Sequence, residues 1–204
     1  MKKILFWAAA PAILLLAPGL WAGGCLAAAA GNTAFEEITG FREAWPPPAE
    51  KIEVYRPEEG KCSFGAYASS PDEQGIEVFD GPGGKLISSL PSAPDDPDLI
   101  MVTVTGFRGE WLSAEIYDGR EVWLRAGFVE AGLRNYGPGD SSELRAGPGR
   151  QYAAIGDIYG DELVTILGGE GKWALIRYID EANGEITGWT EAQNLCGHPY
   201  TTCP

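Results

Sequence analysis

The sequence predicts an all-β protein of two tandem small barrels behind an apolar leader and a proline-rich linker. Three observations carry that prediction. Short runs alternate apolar and polar residues and are separated by Gly, Pro, Asp or Asn, the pattern of half-buried strands joined by turns. Few stretches offer a long helical period. The same order of events also occurs twice. Gly75 to Phe79 runs into Asp80-Gly81-Pro82-Gly83, followed by Leu86 to Leu90, Ile100 to Thr105, Gly106, Trp111 to Ile116 and Val122-Trp123. Ser141 to Arg145 runs into Ala146-Gly147-Pro148-Gly149, followed by Tyr152 to Ile158, Glu162 to Leu167, Gly168-Gly169, Trp173 to Ile179 and Gly188-Trp189.

The chain opens with Met1-Lys2-Lys3, a mostly apolar run from Ile4 to Leu20, and small residues from Ala22 to Gly31. That order is the basic, apolar and cleavage regions of an export signal, residues 1–30, with Ala28-Ala29-Ala30 as the cleavage site. A membrane-spanning anchor is the alternative reading of the same run. Trp21-Ala22-Gly23-Gly24-Cys25 resembles a bacterial lipoprotein box, with Ala22 where that pattern prefers Leu. Cys25 is therefore the candidate lipidation site, against the reading in which it is discarded with the leader. Residues 31–62 read as a linker. Thr33 with Glu36-Glu37 opens a short helix to about Ala44, and Trp45-Pro46-Pro47-Pro48 stops it in extended geometry that suits a stiff spacer. Ile52-Glu53-Val54-Tyr55 alternates like an isolated strand.

Charge limits the partners. The chain carries 15 basic and 29 acidic residues, a formal charge of −14. Loss of Lys2 and Lys3 with the leader takes this to −16. A nucleic-acid binder needs a basic footprint, so nucleic acid is excluded. Anionic lipid would repel the chain, which leaves a covalent lipid on Cys25 as its route to a membrane. Removal of the leader leaves Cys62, Cys196 and Cys203, and an exported protein meets an oxidising compartment that favours disulfides. Cys196 with Cys203, a small terminal staple, is the first pairing; Cys62 with either is the alternative.

The first module spans 63–131, the second 132–196 and a tail 197–204. Superposing the Gly-Pro-Gly turns puts Val78 on Leu144, Val102-Thr103-Val104 on Val164-Thr165-Ile166, and Gly106 and Gly109 on Gly168 and Gly171. Trp111 then falls on Trp173, Trp123 on Trp189 and Ala126 on Ala192. The four glycines read as hairpin corners needing positive φ. The tryptophans that follow them read as rings filling each barrel interior. Leu133 to Gly139 reads as a short link between modules that touch.

Leu144-Arg145-Ala146-Gly147-Pro148 resembles the opening strand and turn of bacterial SH3-like (SH3b) domains, which typically read Asn-Val-Arg-x-Gly-Pro. Ala154-Ile155-Gly156 resembles that family's next strand, and Trp173 with Gly188-Trp189 its W-x-x-V … G-W-V ending. The second module departs at Glu143 and Thr190. The first departs at Phe79, where Arg is typical, at Val122, and in the acidic insertion Pro91 to Asp98. The resemblance implies an exported protein of the periplasm or cell envelope. Its partner would be peptidoglycan or another cell-wall component or, alternatively, an envelope protein docked on a scaffold.

Arg145, Tyr152 and Tyr178 are the candidate ligand-binding residues, because they sit at or beside strand ends and carry polar handles. No catalytic residue is assigned. The single histidine, His198, lies two residues after Cys196, too close for a nucleophile and base brought together by a fold. One His with Cys196 and Cys203 is a poor zinc set. Asp95, Asp96 and Asp98 lack the spacing of a calcium loop. No metal or cofactor is expected.

Overall fold

A computed structural model describes residues 52–70, 75–92, 97–180 and 184–203. The leader, Cys25, the helix expected from Thr33, the Trp45-Pro46-Pro47-Pro48 spacer, Asp95 and Asp96 lie outside these residues. The all-β expectation holds: the described residues form thirteen antiparallel strands and no α-helix. The first seven are β1 (Glu59–Ala68), β2 (Ile76–Phe79), β3 (Leu86–Leu90), β4 (Met101–Arg108), β5 (Trp111–Ile116), β6 (Glu121–Arg125) and β7 (Val129–Leu133). The remaining six are β8 (Ser141–Arg145), β9 (Ala154–Tyr159), β10 (Leu163–Glu170), β11 (Trp173–Asp180), β12 (Gly184–Glu191) and β13 (Leu195–Cys196).

The ladder runs β3-β2-β6-β5-β4-β1 and continues β7-β10-β11-β12-β8-β9. Read inward from its two ends, the order is the same, with β7 in the place of β1. The match reaches single residues. Ala66 opposes Val102 as Ala131 opposes Val164. Phe79 opposes Trp123 as Arg145 opposes Trp189. The β4–β5 register slips between Val104 and Gly106, and the β10–β11 register slips between Ile166 and Gly168. Three-residue 3-10 turns, Ala126–Phe128 and Ala192–Asn194, follow β6 and β12. The N–H of Ala126 donates to the Glu110 carbonyl and that of Ala192 to the Lys172 carbonyl.

The sequence suggested two units, each closed by its own hairpins. Instead one hydrogen-bonded sheet runs through both halves, and β7 joins them. β7 pairs with β1 at Ala68–Val129 and Tyr67–Glu130, with β10 along Ala131 and Gly132, and with β13 at Leu133–Leu195. The boundary drawn at 131/132 falls inside this strand, and the one at 62/63 falls inside β1. The supposed link after Leu133 is packed in. Arg134 donates from Nε to the Leu195 carbonyl. Buried Asn135 donates to the Ile158 carbonyl and accepts from the Ser142 hydroxyl, so its polar atoms stay satisfied away from water.

One apolar core spans the two halves, with Val78, Val104, Leu112 and Leu124 in continuous contact with Leu144, Ile158, Ile166 and Ile176. Each of these side chains contributes on the order of 1.5–3 kcal/mol by leaving water. The glycines read as four corners divide into two kinds. Gly109 and Gly171 have φ of 56° and 59° and form the β4–β5 and β10–β11 turns. Gly106 and Gly168 lie within strands, at the register slips. A Cβ at Gly106 would sit 2.7 Å from the Gly60 carbonyl oxygen, and one at Gly168 would sit 3.0 Å from the Phe107 ring. Those two glycines are there for close approach, not for a turn. Gly169 likewise makes room for Phe64 and Cys62.

Candidate functional site

The tryptophans do not fill the main core. Along β11, Ala174 and Ile176 point into it, while Trp173 and Leu175 form a second buried cluster with Trp189. The run Trp173-Ala174-Leu175-Ile176 is buried on both faces, as a strand covered from both sides must be. The outer cover comes from residues 52–56. Val54 packs on the Trp173–Leu175–Trp189 cluster. Tyr55 stacks against Tyr152 at 6.0 Å between ring centroids and against Trp189 at 6.4 Å, with interplanar angles of 25° and 28°. The Tyr55 N–H donates to the Ala146 carbonyl at 2.7 Å, and the Trp189 indole N–H donates to the Tyr55 carbonyl at 2.8 Å. Trp189 is thereby fully buried, whereas Tyr55 keeps 44% of its surface exposed.

Local chemistry shapes this cleft. β8 meets β12 at the single pair Trp189–Arg145, then turns away at Ala146, leaving a carbonyl free to accept from an incoming strand. Gly147 carries no Cβ because the Tyr152 ring lies where one would project. The Arg145 guanidinium donates to the carbonyls of Arg150 at 3.0 Å and Tyr152 at 2.7 Å, and pairs with the Glu143 carboxylate. Arg145 therefore holds the loop that presents Tyr152. A hollow of about 830 Å³ beside the cleft is lined by Ile52 to Arg56, Ala146, Tyr152, Glu185 and Thr187.

Of the three predicted ligand residues, the structure brings Arg145 and Tyr152 together here. Tyr178 lies elsewhere: it packs on the main core and borders a separate depression with Leu163, Arg177 and Ile179. Sequence reasoning missed Val54, Tyr55, Ala146 and the placement of Trp189. The alternation of Ile52 to Tyr55 was the available signal. The segment takes no strand pairing, however, and works as an extended strap across the second half.

The corresponding face of the first half has no such strap among the described residues. Phe79 meets Trp111 edge-on at 5.0 Å, and the Arg125 guanidinium lies 4.9 Å from the Trp111 ring centre. Trp123, the counterpart of Trp189, stays partly exposed beside Thr105, Ser113 and Glu121.

Cys196 and Cys203 form a disulfide with Cα atoms 5.4 Å apart, and Cys62 is free. The Cys203 N–H donates to the Tyr136 hydroxyl, and His198 Nδ1 accepts from the N–H groups of Tyr200 and Thr201, so the histidine organises the stapled loop. Burial pushes the Cys62 thiol up to about 12. Among the described residues, no three His, Cys, Asp or Glu side chains converge as metal ligands would.

No family model matches the chain, and no curated protein matches it. Among solved structures, one described as NlpC2 from Trichomonas vaginalis is similar at 14% identity and a TM-score of 0.27, over 68% of this chain. The chain spans about half, 48%, of that structure's length.

Proposed function

We propose that the protein is an exported, non-catalytic binding protein of the cell envelope, built on two SH3-like halves that share one sheet, and that its ligand is an extended peptide. A lipid on Cys25 would be the protein's attachment to the membrane. The observation that carries this reading is the seating of Tyr55. The Tyr55 N–H donates to the Ala146 carbonyl and the Tyr55 carbonyl accepts from the Trp189 indole N–H, which fixes an extended backbone, while the Tyr152 and Trp189 rings receive its side chain. Hydrogen bonds to the segment's own backbone would supply affinity and side-chain pockets specificity, as in extended-peptide recognition generally.

Peptide stems of peptidoglycan and segments of envelope proteins both present such a backbone. The occupant here is an apolar–aromatic pair, Val54-Tyr55, and the chain is strongly acidic. Both features favour docking of a protein segment over the carboxylate-bearing wall. The discriminating experiment offers the mature protein to purified peptidoglycan and to an envelope extract in parallel. A stoichiometric protein partner lost on Tyr152→Ala is the expected result; co-sedimentation with peptidoglycan alone would replace it with the wall-binding reading.

A further inference from the structure

We propose that the Tyr152–Trp189 cleft is a peptide-binding site whose resident occupant is the chain's own Ile52–Arg56 segment, and that this segment can be exchanged for another peptide. The external ligand would be an extended peptide carrying an aliphatic residue, then an aromatic, then a cation. This deepens the peptide-docking reading above and rests on it.

Four observations distinguish an exchangeable occupant from a fixed part of the fold. The strap belongs to no strand ladder, and two hydrogen bonds through Tyr55 fix its backbone. It stays at the surface, with Ile52 48% and Tyr55 44% exposed. What it covers is a cluster separate from the main core, so its departure uncovers Trp173, Leu175 and Trp189 without opening the sheet. Finally, among the described residues the matching face of the first half carries no strap and is covered instead by Phe79 and Arg125, so a strap is one of two ways this architecture covers its tryptophan. The strap's own chemistry sets the ligand class: Val54 on the indoles, Tyr55 between two rings, and Arg56 sharing the hollow with Glu185.

A labelled synthetic peptide of sequence Ile52–Glu58 is titrated into the full mature protein, its Tyr55→Ala variant, and the Tyr55→Ala/Tyr152→Ala double variant. The expected result is saturable binding to Tyr55→Ala, at least tenfold weaker binding to wild type because the cleft is filled, and at least tenfold weaker binding to the double variant. A folded Tyr55→Ala that ignores the peptide, or wild type binding it equally well, overturns the proposal, as does failure of Tyr55→Ala to fold. Hydrogen exchange on the wild type gives an independent reading. The Tyr55 amide should exchange at least a hundredfold faster than those of Val104 and Ile176, and equal protection overturns the proposal. The peptide probe needs no envelope partner, so failure here and failure of the envelope pull-down are separate results.

Discussion

The outer faces of the two halves begin from the same plan and end differently. Each sets a tryptophan at the start of its second hairpin's return strand, Trp111 or Trp173, beside a second on the next strand, Trp123 or Trp189. In the first half, Phe79 occupies the place of Arg145 and packs its ring edge on Trp111, while Arg125 lies over the indole. That face covers itself. In the second half, Arg145 turns back to hold its own loop, Leu175 replaces Ser113, and a longer turn supplies Tyr152. More apolar surface is presented there, and it is packed by Leu167 from the sheet and by Val54 from the strap. An exchange of Phe for Arg and a few added loop residues thus separate a face that covers itself from one covered by the 52–56 strap.

The largest test of this contrast is the tryptophan pair. Trp189→Ala removes a fully buried indole and its hydrogen bond to Tyr55, and should cost about 3–5 kcal/mol in urea unfolding. Trp123→Ala, at the matching but partly exposed position, should cost about 1 kcal/mol or less. Equal losses would break the comparison. Next come the paired bulge glycines. Gly106→Ala drives a Cβ against the Gly60 backbone carbonyl, which cannot tilt away, and should cost about 2–3 kcal/mol. Gly168→Ala has the Phe107 side chain as its nearest neighbour, at 3.0 Å, and should cost about 1 kcal/mol.

Reducing the Cys196–Cys203 staple frees a loop with a sequence separation of 7 and should lower stability by about 2 kcal/mol, read as a drop in melting temperature on adding reductant. The smallest effect concerns Cys62. Its folded pKa lies above the unfolded thiol's, so the folded state keeps its proton as pH rises. Any stability it contributes is complete below about pH 8.5 and is lost above it. At pH 8 the folded protein should react with a thiol reagent far more slowly than the same protein in denaturant. Equal rates would mean that the contact of Cys62 with Gly169 opens freely.

The local features of this fold were legible in the chain. Period-two alternation and turn residues mark strands without reference to distant partners, and the aligned Gly and Trp positions fall at matching places in the two ladders. Which side of a strand faces the core was not legible for β11, because all four residues of Trp173-Ala174-Leu175-Ile176 are apolar and either parity satisfies the pattern. The separation of turn glycines from bulge glycines depends on Gly60 and Phe107, partners remote in sequence. Arg145 and Tyr152, which flank a turn, are brought into contact by that turn, whereas Tyr178, at a strand end of the same description, belongs to the main core's edge. Tyr55 escaped because its contacts, with residues near 150 and at 189, are nearly a hundred or more positions away.

β7 serves both halves at once, and this bears on how the protein can be divided. A fragment ending before Val129 loses the strand that borders β1, and a fragment beginning after Leu133 loses the border of β10 and β13. Neither half can be excised with its edges satisfied unless Val129–Leu133 is supplied to it. Heating should therefore melt the molecule in a single step, and a dissection into autonomous pieces requires that this five-residue stretch be copied into each.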